Sequence, residues 1–436
     1  MVDLSIIFLL FMILVCFLMQ RLTRCFTVIS IPGMTFIFLF LYHGWYIPIL
    51  LLRDHIDEFA PIYLDNALKY RLFYSLVVMY GFFVSGIAFT KKIFNFETEE
   101  IIDYGRRETI SNKGIYPTII LVFVVMMVFG VYYVTTTNVL PRLIEYFSSI
   151  GDENVIRILR QEANPEERGL AGYLFGWVIW VFLPLLSLIL LSLSIPKRKM
   201  VFKTLALVSI ITTMVLGLSV ASKYPTVHFV TTLLFFILIW KGRIRVIDNK
   251  VVFIVVILLV YSVSTSLYYI AVGSVGNALY LVWVRLFQGP NYALLLHLKY
   301  FPDVINFLGG RDIALLSKIM GWEYVSSPGL LASLAFGKVG NANAAFISGL
   351  WVNFGYLGIV LGSFLLGVYL CWVQIWLVRR PKTVTNVVLY SYLCVQVWHL
   401  ANVSMFPALF AFGIGSAPLF VRIFEIMSDI VSKASG

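Results

Sequence analysis

Charge is what this 436-residue chain has least of: 13% of its residues are charged, where a soluble domain carries about 25%. With 60% hydrophobic residues, too little polar surface remains to cover a water-soluble fold. The same shortage excludes a disordered chain, which needs low hydrophobicity and high net charge. Four cysteines in a chain of this length exclude a small disulfide scaffold. The apolar stretches are continuous and do not alternate, which argues against a transmembrane barrel. What remains is an all-α polytopic integral membrane protein, read as a single membrane domain over residues 1–436.

Several chemical signatures are missing as well. There is no phosphate-cradling P-loop and no His-Glu-x-x-His metal helix. There is no Gly-x-Ser-x-Gly elbow. The apolar runs hold almost no acids at mid-depth, where ion-coupled carriers place them. Internal repeats are not visible. Nucleotide-sugar, metal-held and ion-coupled chemistries are therefore disfavoured, and no cofactor is expected.

A helix needs about 20 mainly apolar residues to cross a bilayer. Eleven such runs are expected, near 4–20, 26–43, 72–90, 116–134, 172–194, 204–220, 226–240, 251–271, 354–377, 385–402 and 407–424. The first reads as a span and not as a signal peptide, because no basic residue lies between Met1 and Cys16. If the N-terminus faces outward, the inner segments hold 20 of the 33 basic residues and 8 of the 22 acids. The inner face is then strongly positive and the outer face nearly neutral, which is the orientation signal of membrane proteins. The net charge of +11 is thus read as topology and attraction to anionic lipid, not as nucleic-acid binding. The cysteines (Cys16, Cys25, Cys371, Cys394) fall in spans or at the inner edge, so no disulfide is expected.

On this map two long segments lie outside, 135–171 and 272–353. Both are rich in aromatic and aliphatic residues, which predicts short helices lying at the membrane surface. The first carries Arg157 and Arg160, three apart on one helical face, with Arg168 following. They read either as an anion-binding cluster or as a solvated face paired with Glu153, Glu162 and Glu167. The second opens on an apolar helix interrupted by Arg285, a cation that needs an anionic partner or must snorkel. It continues through Tyr300, Gly309-Gly310-Arg311-Asp312, Glu323 and Asn341-Ala342-Asn343. Lys223 sits in a tight hairpin between two runs, as a phosphate contact or an interface anchor. His43, His55, His228 and His399 read as hydrogen-bonded structural histidines.

Three stretches carry a family likeness. One runs from Arg157 to Gly172-Tyr-Leu-Phe-Gly-Trp177. The second is Arg285-Leu-Phe-Gln-Gly-Pro290 with Tyr300-Phe-Pro302 and Gly309-Gly310. The third is Asn343-Ala-Ala-Phe-Ile-Ser-Gly-Leu-Trp-Val-Asn353-Phe-Gly355-Tyr-Leu-Gly358. Together with the layout, they resemble the bacterial O-antigen and capsular repeat-unit polymerases of the Wzy type, related in plan to the O-antigen ligases. The resemblance implies a GT-C-like plan in the bacterial inner membrane, with the N-terminus periplasmic, the C-terminus cytoplasmic and the active site on the periplasmic face. It implies undecaprenyl-diphosphate-linked oligosaccharides as substrates, with a flippase and a chain-length regulator as partners.

Under that resemblance Arg285, Arg157, Arg160 and Arg311 are the expected cations for the leaving diphosphate, because the guanidinium fork binds phosphate in a bidentate way. No metal is then required. Lys223, Arg168, Tyr300 and Asn343 are expected at the substrate. Where ligases and some polymerases carry a histidine before the late span, this chain has Asn341 and Asn343. Glu323, Asp312 and His297 are the candidate bases. A lipid-linked oligosaccharide flippase, an O-antigen ligase and a non-enzymatic scaffold remain as competing readings.

Overall fold

The computed structural model describes residues 2–56, 61–111, 115–136, 174–194, 200–219, 224–245, 274–337 and 341–434, with isolated positions between 141 and 148 and at 265 and 269. The expected span at 251–271 and most of the segment 135–171 lie outside the described residues. Apart from one antiparallel pair of two-residue strands, His55–Ile56 with Ile62–Tyr63, the described elements are helical. Among the described residues, seven helices are long and apolar enough to cross a membrane: Asp3–Thr23, Ile31–Leu52, Asn66–Ile93, Ile115–Thr135, Leu174–Ser194, Met200–Gly217 and Phe346–Arg379. The chain is an all-α, multi-pass membrane protein. Its helices gather into two compact units, each assembled from separate stretches of a chain whose sequence reads as one domain.

The first unit takes 1–101, 283–376 and 397–408. Its opening helix, Val2–Thr23, buries Phe8, Met12, Val15 and Met19 and turns Leu10, Ile13, Leu14 and Phe17 outward. A helix apolar on both faces suits lipid and not water. Helix starts inside apolar surroundings must satisfy their leading N–H groups. Ser30 does so for Ile31–Leu39, its Oγ accepting from the Gly33 amide, and Gln374 Oε1 accepts the Ile31 amide at 2.8 Å. Asp65 caps Asn66–Ile93 through the Leu68 amide at 2.7 Å.

Two glycines set a close helix crossing in this unit. A Cβ on Gly86 would meet the Phe364 carbonyl, and one on Gly367 would meet the Phe83 carbonyl. Asn66–Ile93 and Phe346–Arg379 therefore touch backbone to backbone, the kind of approach small residues permit in membranes. The second of these helices has 34 residues, and a straight helix of that length would reach ~51 Å. It is not straight, because Gly355 breaks it at φ 60°, ψ −144°.

The second unit takes 102–282, 377–396 and 409–436. Its centre is Val384–Gln396, every residue of which is buried. The run expected over 385–402 as one span instead leaves the α-helix after Gln396 and continues as a 3-10 turn, Val397–Ala401. The run expected over 407–424 is likewise divided, into Met405–Phe410 and Ser416–Ala434. The break holds the Tyr392 hydroxyl, which donates toward the carbonyls of Trp180 (2.8 Å) and Phe412 (3.0 Å). Hydroxyls also join two apolar helices, with Ser187 Oγ 2.7 Å from Ser209 and 2.9 Å from Thr213. Glu425 is buried but answered by Thr385 (2.9 Å), Arg380 (3.2 Å) and Arg422 (3.3 Å). Lys382 donates to the carbonyls of Gly105 (2.8 Å) and Arg107 (3.0 Å), ending the helix Glu99–Arg106.

Gly86→Ala is expected to lower stability by about 1–3 kcal/mol, because the added carbon meets backbone and not a yielding side chain. Gly81→Ala on the same helix, where nothing lies within 4 Å, is expected to leave stability unchanged or raised. Thermal unfolding of the purified variants in detergent tests the pair. Equal behaviour of the two would remove the crossing as a constraint.

Candidate functional site

The segment 289–355 builds a polar arrangement in the first unit that is organised by the broken helix. In an unbroken helix the carbonyls of Val352 and Asn353 would serve the amides four residues on. Here they accept from a loop: Leu308 N–H reaches Val352 O at 2.8 Å, and Gly309 N–H reaches Asn353 O at 3.2 Å. The Asn353 side chain extends the clamp. Its Oδ1 accepts the amides of Gly310 (2.8 Å) and Asp312 (3.4 Å), while its Nδ2 donates to Gly349 O at 2.7 Å. Asn353 is buried, so each of these partners replaces water that is not there.

A second tie seats the chain just before that loop. Arg71 forms a two-pronged pair with Asp303 (3.0 and 3.1 Å) and donates to the Leu298 carbonyl at 2.5 Å. Its guanidinium lies 5.8 Å from the centre of the Trp351 ring, and the Trp351 indole N–H donates to Phe301 O at 3.0 Å. Asp303 is therefore committed to structure.

The clamped loop carries Arg311 and Asp312 in succession. Arg311 is exposed. Its Nε donates to Leu308 O at 3.2 Å, and its own carbonyl accepts from Val325 N–H (3.1 Å) and the Ser317 hydroxyl (3.0 Å). Asp312 is half-buried, and its Oδ1 accepts the Ser327 amide at 2.8 Å, at the start of the helix Ser327–Phe336. Burial pushes its carboxyl up to about 6, and the Ser327 amide pulls in the opposite direction without cancelling it. A carboxyl titrating there suits proton transfer near neutral pH.

The other expected residues fall as follows. Glu323 is exposed in the stretch leading to Val325 and Ser326. Asn343 is exposed just before the Phe346 helix, and its neighbour Ala342 donates to Pro328 O at 2.9 Å, which brings this stretch to the same helix start as Asp312. Tyr300 ends the helix Gly289–Tyr300, half-buried. His297 is fully buried in that helix, with Nδ1 2.7 Å from Ala293 O, and burial lowers it to about 4. It is neutral and sealed from solvent, which removes it as a base for a sugar hydroxyl. The backbone of Arg285 lies in a π-helical turn, Val284–Gln288; its side chain lies outside the described residues. So do Arg157, Arg160, Arg168 and Lys223. Among the described residues, no group of three or more His, Cys, Asp or Glu is placed to hold a metal ion.

Arg311 and Asp312 are consecutive on this loop, with Glu323 and Asn343 on stretches tied to it. Asn353, Arg71 and Ser327 were missed as site residues. For Asn353 a signal existed: a side-chain amide two residues before a glycine inside an apolar run marks a helix break with its own polar plug. Arg71 and Asp303 are 232 residues apart, and no local pattern pairs them.

Asn353→Leu is expected to leave two amides unpaired, at a cost of about 1–3 kcal/mol, and to raise hydrogen exchange across 308–312. Unchanged exchange there would show that the loop does not depend on the side chain. The Asp312 carboxyl is raised, so the folded state holds its proton more tightly than the unfolded chain does. Its ionisation therefore destabilises the fold as pH rises from about 4 to about 7. Wild-type protein is expected to lose stability over that window relative to Asp312→Asn, and parallel stability–pH curves would contradict this placement.

No family model, curated protein or solved structure matches this chain.

Proposed function

We propose that the chain is a glycosyltransferase that polymerises undecaprenyl-diphosphate-linked oligosaccharide repeat units, in O-antigen, capsule or exopolysaccharide assembly. The reading takes eleven spans, the N-terminus and the segments 135–171 and 272–353 outside a bacterial inner membrane, and the C-terminus inside. One observation carries it furthest: Asp312, a carboxyl raised to about 6, follows the exposed Arg311 in the chain on a loop clamped by Asn353. Gly309-Gly310 of that loop and Asn353 of that clamp belong to two of the three stretches that carry the family likeness.

In this mechanism a hydroxyl of the lipid-linked acceptor unit attacks the anomeric carbon of the donor glycan. Asp312 takes the hydroxyl proton. The anomeric carbon–oxygen bond breaks, and the lipid diphosphate leaves with the electron pair. Arg311 and Arg285, with Arg157 and Arg160, meet the charge that grows on the leaving oxygen, where fixed cations act most strongly. Arg168, Lys223, Tyr300 and Asn343 contact the substrates. Glu323, on an exposed stretch, is the weaker choice of base. The donor carries its own activation, so neither nucleotide nor metal enters the scheme.

The test is a purified full-length protein incubated with a synthetic undecaprenyl-diphosphate repeat unit, with and without EDTA. A glycan ladder that persists in EDTA is the expected outcome. The rate is expected to rise with pH through an acid limb near 6, and Asp312→Asn to lower kcat by about 10²–10⁴-fold. A folded protein that builds no ladder would move the reading to ligase or flippase, and an Asp312→Asn enzyme with wild-type kcat would remove the base.

A further inference from the structure

Among the described residues of the first unit are two π-helical turns, Phe40–Gly44 and Val284–Gln288. A π turn disturbs the regular i→i+4 ladder, and such turns concentrate at functional sites. Here one buried side chain joins both. Asn291 Nδ2 donates to Tyr42 O in the first turn (2.6 Å) and to Phe287 O in the second (2.7 Å). With Nδ2 committed to two carbonyls, Oδ1 must face the other way, and it lies 2.8 Å from His43 Nδ1. His43 Nε2 lies 2.9 Å from Ala401 O, in the 3-10 turn Val397–Ala401. Both side chains are fully buried. Three irregular helical turns thus meet on one amide–imidazole pair. Trp45, Trp283 and Phe287 pack edge to face beside it, with ring centres 4.6–5.6 Å apart.

This arrangement is more than a satisfied core, because one of the turns it holds carries Arg285. We infer that Asn291 and His43 are positioning residues that fix the Arg285-bearing turn and act on glycan transfer through it. The inference rests on the polymerase reading above. An apolar residue at 291 would leave the Tyr42 and Phe287 carbonyls without their side-chain donor and free the two turns to slide apart. A displacement of about 1 Å at a charge-stabilising group is enough to cost about 100-fold in rate.

The kinetic arm compares wild type, Asn291→Leu, Arg285→Ala and the double variant in the ladder assay. Asn291→Leu is expected to lower kcat about 100-fold with KM within about twofold. The double variant is expected to lose no more than Arg285→Ala alone, within about threefold, because both changes remove the same contribution. Losses that multiply, or a wild-type kcat in Asn291→Leu, overturn the inference. Hydrogen exchange on the wild-type protein tests the tie without any variant and without turnover. Amides of 40–44 and 284–288 are expected to open as one unit with protection equal within about threefold, and a difference beyond about tenfold overturns the tie. A wild-type protein whose two turns open together but which builds no ladder would refute the polymerase reading and leave the tie established.

Discussion

An apolar chain that interrupts a helix must find donors and acceptors for the backbone groups it releases. The break at Gly355 imposes that demand on the first unit. The carbonyls of Val352 and Asn353 are answered by the amides of Leu308 and Gly309, and the Asn353 side chain completes the exchange with Gly310 and Asp312. The loop is therefore not an appendage to the helix. It takes over the helix's hydrogen bonding, and its conformation follows from that role. The position of Arg311 and Asp312 is a consequence of backbone satisfaction around the buried Asn353.

The same constraint recurs wherever a helix starts, stops or bulges. Gln374 supplies an acceptor to the first amide of Ile31–Leu39, Lys382 supplies a donor to the end of Glu99–Arg106, and Asn291 supplies donors to two π turns. Each is a buried polar side chain in an otherwise apolar setting, and each hydrogen-bonds backbone groups. Polar residues here act as joints between irregular segments, while glycines such as Gly86 and Gly367 govern how closely regular ones approach.

Fold class was legible from composition, because too few charges and long apolar runs leave only a helical membrane protein. Long single helices, such as those near 4–20, 72–90 and 116–134, were also placed closely by hydropathy alone. The late spans were not. The runs 385–402 and 407–424 each read as one span, yet the first leaves the α-helix after Gln396 and the second is cut between Phe410 and Ser416. Hydropathy averages over a window and is blind to a turn held by one tyrosine hydroxyl. The site was half legible. Arg311 and the Asn353-Phe-Gly355 motif were singled out in the chain, and Asp312 stood level with Glu323 and His297 as a candidate base; that His297 is fully buried and Asp312 only half-buried depends on packing.

The amino-acid sequence by itself determined the solvent of this protein, its helical character and the identity of the groups able to handle a phosphate or a proton. Those properties follow from local composition and from the two-residue or four-residue reach of backbone periodicity. Tertiary structure alone decided which of those groups meet. Arg71 finds Asp303 across 232 residues, His43 finds Asn291 across 248, and Gln374 finds Ile31 across 343. Such pairings arise because buried polar atoms must be matched somewhere in space, and sequence distance has no bearing on where the match is found.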